Sequence, residues 1–356
     1  MPYKGKEEKV PENKIQSTKS KYIVVIFFIV FLLTWIALNI ALSEKSSQKI
    51  RTCGDGTFYD TCSLRKPYFC EEGILVEKAS ICGCNDILNK LGNSCVSKYQ
   101  TNPKDITLNY ILRGEEREIV FTVYGGMADY LPGVSRSIYY EGDERPSRAD
   151  FKLKSINEEE QREFLLPLVT KIQSITSDEE DQIRIAISLV QSIPYGFSEK
   201  IISFGNNNIT YSRYPYEVLY NNQGICGEKS ALLAFLLREM GYEIVFFYHA
   251  LENHESLGIR CPVEQSLGNT GYCLIETTAP SIITDNSIEY IGGITLESNP
   301  EVILISQGAS IGSDWYEYED ADDMKKIRGG EFLLFKNSKL NELKEKYGLV
   351  EEYNPA

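Results

Sequence analysis

The stretch Tyr214-Pro-Tyr-Glu-Val-Leu-Tyr-Asn-Asn-Gln-Gly-Ile-Cys226-Gly-Glu-Lys-Ser-Ala-Leu-Leu-Ala-Phe-Leu-Leu-Arg-Glu-Met-Gly241 carries the pattern around which the 356-residue chain is organised. In its first half Asn221, Asn222 and Gly224 break any periodicity and read as turn. In its second half Leu232, Leu233, Leu236, Leu237 and Met240 recur at three- and four-residue spacing, which predicts a helix. Gly241 stands where a C-terminal capping glycine belongs. Cys226 therefore falls at the helix N-terminus. Unpaired N–H groups and the helix dipole favour negative charge there and bias a thiol toward thiolate. A small buried cysteine that only packs a helix start would occupy the same position, so the flanking sequence has to decide.

After Gly241 the run Tyr242–Leu251 is aromatic and β-branched and reads as a strand. A short break leads to a second strand candidate, His254 to Cys261. A loop rich in Gly, Asn and Ser follows, and Gly271 to Pro280 reads as a third strand, with Glu276 on it. The order is cysteine, histidine, acid. Such an order can set a base beside a thiol and an orienting carboxylate behind the base. Of the two histidines, His249 lies inside an apolar strand and reads as a core residue. His254 opens a strand beside polar residues, where functional groups concentrate.

These pieces, Tyr-Pro-Tyr-Glu-Val-Leu, Gly-Ile-Cys-Gly-Glu-Lys-Ser-Ala-Leu-Leu, the His254 strand and Ile-Glu-Thr-Thr, resemble the transglutaminase-like cysteine enzyme superfamily over residues 160–300. The resemblance implies an α+β, papain-like core with a nucleophile helix on an antiparallel sheet, in a membrane-anchored prokaryotic member. It assigns Cys226 as nucleophile, His254 as base and Glu276 as the acidic member, a Cys-His-Glu triad without a cofactor or metal. The implied activity is acyl transfer on amide bonds of peptides or proteins through a thioester, ending in hydrolysis or transamidation. The sequence departs from the family pattern in having Glu276 where Asp is usual. It also has Gly227 where the classical enzymes carry a bulky aromatic. The competing expectation is an inactive scaffold of the same fold that binds peptides or surface proteins.

Residues 1–21 hold six lysines against three glutamates. Residues 22–43 carry no charge and are long enough to span ~30 Å of hydrocarbon. They exceed a signal-peptide core and no clear cleavage site follows. The expectation is a cytoplasmic tail, an uncleaved single-pass anchor and an extracellular remainder. The formal net charge of −14 argues against nucleic acid and anionic lipid surfaces as partners. A peptide or protein at the cell surface is the expected substrate.

Residues 44–104 form a cysteine-rich module holding Cys53, Cys62, Cys70, Cys82, Cys84 and Cys95. With so little apolar material it reads as disulfide-stapled, with connectivity left open. A zinc site is the weaker reading, because there is no Cys-x-x-Cys pair and no nearby His. Cys261 and Cys273 end two consecutive strand candidates, where a hairpin can bring them together. That leaves Cys226 unpaired.

Residues 105–157 read as a β-rich lead-in. Two strands over 105–124 flank an Arg-Gly-Glu-Glu turn and could extend the sheet, and 125–150 read as irregular. The core is expected over 158–310. It has a helix over 157–176 that Pro167 should kink or interrupt, and a second helix opening at Ser177-Asp-Glu-Glu and stopping at Ile193-Pro194. A polar loop over 198–213 carries the sequon Asn208-Ile-Thr. The runs Ile288–Ile291 and Val302–Ile305 are expected to complete the sheet. In the acidic extension, 311–356, residues 314–323 read as a solvated loop and 338–347 as a terminal amphipathic helix.

Overall fold

The structure, a computed structural model, describes residues 29–35, 51–204, 207–286, 289–290, 294–330 and 336–349. The chain divides into two units, Met1–Arg51 and Thr52–Ala356. In the first, residues 29–35 are helical and exposed. The rest of the uncharged run at 22–43 and the tail at 1–21 lie outside the described residues. Among the described residues no helix is long and apolar enough to cross a membrane.

The second unit is mixed α/β with antiparallel sheets. Past the cysteine-rich module, its main elements begin with strands β1 (Pro103–Leu112) and β2 (Glu115–Tyr124). Helices α1 (Arg148–Ile156), α2 (Glu159–Ile175), α3 (Glu179–Gln191), α4 (Pro215–Asn221) and α5 (Cys226–Glu239) follow. Strands β3 (Ile244–His249), β4 (His254–Arg260), β5 (Tyr272–Ile275) and β6 (Glu301–Ser306) come next, and helices α6 (Tyr316–Arg328) and α7 (Lys336–Tyr347) close the chain.

Helix α5 lies at the centre. All of Gly227–Leu237 is buried, as a helix apolar on nearly every side must be. It packs against β4 and β3 on one side and against α1, α2, α3 and α4 on the others. Gly241 follows it with φ +96°, the left-handed conformation that ends a helix cheaply only at glycine. The sheet runs β5-β4-β3-β6. Its alternation splits the apolar side chains. Ile244, Phe246, Leu257 and Ile259 join the main core, while Val245, Phe247 and Leu274 form a second cluster. Gly258 allows this, because a Cβ there would lie 2.6 Å from Val245 Cγ2 and 2.7 Å from Phe247 Cε2.

Several sequence expectations change. The β1–β2 hairpin pairs only with itself and does not extend the sheet; its buried alternate residues pack on the core instead. Residues 125–150 contain a short helix, Gly125–Tyr130, and the start of α1. Ser147 and Asp150 cap α1 reciprocally, a signal that was present in the sequence. Residues 198–213 contain an antiparallel pair, Ile201–Phe204 with Asn207–Thr210, and Asn208 is exposed on it. Pro215–Asn221 is a helix rather than turn, with proline at its first turn.

Helix α2 runs through Pro167 without interruption. Phe164, Leu165, Leu168, Val169 and Ile172 are buried on either side of it. At about 1.5–3 kcal/mol per buried side chain, their packing outweighs the ~3 kcal/mol cost of an interior proline. Glu289–Tyr290 pairs with Ile294–Thr295 as a separate ribbon, so only β6 joins the sheet; Ile288 and Ile291 lie outside the described residues. The acidic stretch at 314–323 is largely helical and partly buried. Glu317 binds Arg184 at 2.6 and 3.1 Å. Asp320 accepts from Lys346 at 2.5 Å and from the Tyr347 hydroxyl at 2.6 Å. Charges that read as solvated are therefore the ion pairs that fasten α6 and α7 to the core.

Eight cysteines are bridged: Cys53–Cys70, Cys62–Cys82, Cys84–Cys95 and Cys261–Cys273. The module's six thiols are thus spent on disulfides around a small cluster of Cys53, Tyr68, Cys70 and Leu75. It docks on α2 and α3. The Gln182 side chain donates to Gly54 O at 3.0 Å, and Asn85 donates to both Glu163 oxygens at 2.9 and 3.0 Å. The Arg65 guanidinium donates to the Gln173 side chain and to Glu239 O, at the C-terminal end of α5.

The bridge between Cys261 and Cys273 fastens the β4–β5 ladder, in which Ile259 faces Cys273. Its ends are 12 residues apart, so chain entropy alone makes it worth about 3 kcal/mol. The Cys261→Ser/Cys273→Ser double variant is expected to lose that much in urea unfolding at neutral pH. An unchanged midpoint would mean that the bridge does not hold these strands.

Candidate active site

Helix α5 starts at Cys226 because Ile225 is extended, with φ −87° and ψ 172°. The carboxylate of Glu228, in the third helical position, reaches back and accepts the Ile225 N–H at 3.1 Å. The first-turn N–H groups of Cys226 and Gly227 have no intrahelical acceptor. Cys226 is half-buried and is the free cysteine.

Glu228 is itself buried and pinned by Arg213, whose backbone N–H reaches one carboxylate oxygen at 2.7 Å and whose guanidinium reaches the other at 3.0 Å. The same guanidinium donates to Gly196 O, Phe197 O and the Gln223 side chain at 3.0–3.1 Å. The loop before the site and the helix start are thus one hydrogen-bonded unit.

The residue after the thiol has to be small. A Cβ on Gly227 would collide with the Glu255 carboxylate, which is held by Lys152 and, at 3.3 Å, by Arg148, both on α1.

His254 opens β4 directly opposite His249. Its Nε2 lies 2.9 Å from Glu276 Oε2, and Cys226 is near enough to the ring to act on its protonation. Burial alone would lower this imidazole. Cys226 and the hydrogen bond to Glu276, with the carboxylate charge, instead push it up to about 10. His249 stays in the interior, with Nδ1 3.0 Å from Ser298 O.

Glu276 follows the last residue of β5 and is 1 % exposed. Its second oxygen accepts the Thr278 N–H at 2.7 Å and the Thr278 hydroxyl at 2.6 Å. Its backbone carbonyl accepts from Gln191 at 2.9 Å. Thr277 ties the turn back to α5 through the Ser230 hydroxyl, 2.9 Å away.

Behind these three residues lies Lys229, fully buried. Its Nζ donates to Gln191 O at 3.2 Å, Ile193 O at 2.5 Å and Thr278 O at 3.0 Å. Burial lowers this amine to about 7, against the opposing pull of Glu276. Sequence reading missed Lys229, Glu228, Arg213 and Thr278. Two of them carried a signal. Glu228 occupies the third helical position of a capping arrangement, and Lys229 falls on the same stripe as Leu232, Leu233 and Leu236, where a solvated lysine has no place.

The structure brings the three residues near one another: a half-buried thiol at a helix start, an imidazole that it influences, and a buried carboxylate hydrogen-bonded to the imidazole. Such a set can pass a proton from thiol to imidazole and hold the resulting pair of charges. Among the described residues no group of three or more His, Cys, Asp or Glu side chains is placed to hold a metal ion. No family model matches the chain, and neither a curated protein nor a solved structure matches it.

Proposed function

We propose that this chain is a transglutaminase-like cysteine enzyme with a papain-like core, held at the outer face of a membrane by residues 22–43. The observation that carries the reading is the meeting of Cys226, His254 and Glu276 at the start of α5, with His254 hydrogen-bonded to Glu276. The Cys226 thiolate attacks an amide carbonyl, and the N–H groups of the first helical turn receive the oxyanion. The His254 imidazolium gives its proton to the departing amine, leaving a thioester on Cys226. Water or a second amine then releases the acyl group, as hydrolysis or transamidation. Glu276 keeps the imidazole oriented. Four disulfides suit an oxidising exterior, and peptides or proteins at the cell surface are the substrates within reach.

The test is alkylation of the non-reduced full chain with iodoacetamide, read by peptide mapping. Cys226 is expected to be the residue labelled. His254→Ala is expected to slow its labelling roughly tenfold or more near neutral pH, because the imidazole no longer takes the thiol's proton. Labelling at an equal rate in both proteins, or at another cysteine, sinks the proposal and leaves an inactive scaffold of this fold as the better reading.

A further inference from the structure

A cleft of about 740 Å³ is lined by segments that support the site, from Gln191 to Tyr195 and from Thr278 to Pro280, and lies within the usual size range of ligand sites. Two of its walls are parts of the machinery described above. One is the segment after α3 that ends in Pro194 and Tyr195, and the other is the turn from Thr278 to Pro280 that follows Glu276. Lys229 joins the two, since Ile193 O and Thr278 O both receive its Nζ hydrogens. Tyr195 forms a backbone bridge with Gly224, two residues before Cys226, and so brings the cleft toward the thiol. Burial raises its hydroxyl, and the charges of Cys226, Glu228 and Glu276 act on it in the same direction.

The third wall is the β1–β2 hairpin, where Asn109 faces Glu118 and Ile111 faces Glu116. Its charge is predominantly acidic. Glu116 and Glu118 are exposed carboxylates, against a single lining cation, Arg117, which pairs with Glu115 at the surface. A floor of proline and tyrosine under an acidic rim suits a side chain with an aliphatic stem and a cationic head. The −14 net charge of the chain adds steering in the same direction.

We infer that this cleft is the subsite that selects the acyl donor, and that it takes peptide segments bearing lysine or arginine next to the amide that Cys226 attacks. The inference rests on Cys226 as the nucleophile. Its test is separable from that reading, because binding needs no turnover.

The full chain carrying Cys226→Ala is titrated against fluorescein-labelled Gly-Lys-Gly-Lys-Gly amide and its Glu counterpart, followed by fluorescence anisotropy at about 50 mM salt. The lysine peptide is expected to bind roughly tenfold or more tighter. Glu116→Lys/Glu118→Lys is expected to remove or reverse that preference, whereas the equal charge change Asp143→Lys/Glu144→Lys, at exposed positions away from the cleft, keeps it. In the chain with Cys226 intact, the lysine peptide and not the glutamate peptide is expected to protect the thiol from iodoacetamide. Equal affinities, a preference that survives the reversal at Glu116 and Glu118, or no protection of the thiol each overturns the inference. If the preference and protection hold but no thioester chemistry is found, the cleft stands as a peptide site and the reading of Cys226 falls by itself.

Discussion

Glu276→Gln is expected to slow release of p-nitrophenolate from p-nitrophenyl acetate, an activated ester that needs only the thiol machinery, by roughly 10²–10⁴-fold. The carboxylate serves two neighbours at once, His254 through one oxygen and Thr278 through the other. An amide cannot do both in the same way. If its oxygen keeps the Thr278 donors, its NH₂ faces the imidazole and requires a bare nitrogen there. The proton then sits on the wrong side of the ring, and the imidazolium loses the charge that steadied it.

The same change has a pH signature. The His254 imidazole is held at about 10, above its ordinary 6.5, against the effect of burial and through Cys226 and Glu276. Because the folded value is the higher one, its stabilising contribution is complete below pH 6.5 and is lost as pH rises through about 10. Removing the carboxylate lowers the folded value. The alkaline limb of the rate profile should therefore move to lower pH, and the variant should lose the stability advantage that wild type keeps between neutral pH and that limb. Stopped-flow pH profiles and urea midpoints across the alkaline range measure both. An alkaline limb that stays in place would show that Glu276 does not govern the imidazole.

Arg213→Met is expected to cost about 3–5 kcal/mol of folding stability, the range for removing one partner of a buried ion pair. Glu228 would remain buried with only backbone N–H donors, and the carbonyls of Gly196 and Phe197 would lose their donors. Arg213→Lys should rescue little, because a single ammonium cannot reproduce a planar fork that serves four acceptors. Adding Glu228→Gln to Arg213→Met should recover part of the loss by removing the stranded charge. A loss below about 1 kcal/mol in urea unfolding would mean that water reaches the pair.

What could be read from the residues was what local pattern encodes. Helix α5, its start at Cys226, the strand opened by His254 and the carboxylate at Glu276 all follow from periodicity, turn residues and order along the chain. What supports them could not be read this way. Lys229 and Arg213 act on groups distant in the sequence; the apolar stripe around Lys229 marks it as buried but not what it binds, and nothing beside Arg213 marks it at all. The acidic stretch at 314–323 misled for the same reason. Its partners, Arg184 and Lys346, lie in other helices, so the charges looked solvated. Pro167 misled because propensity is local while the packing that overrules it is not.

The spacing of the bridges also bears on how the chain is made. The module's three disulfides close loops of 11–20 residues and lie wholly within the first 95 positions. On the reading proposed above, residues 1–21 stay in the cytoplasm and the chain beyond the anchor emerges outside in sequence order. Six thiols can therefore be sealed before the seventh emerges. When Cys226 arrives, the remaining candidates for mispairing are Cys261 and Cys273, which are 12 residues apart and ordered by the same ladder. On that reading the Cys226 sulfur is kept from its own relatives by the order of synthesis, before any tertiary packing shields it.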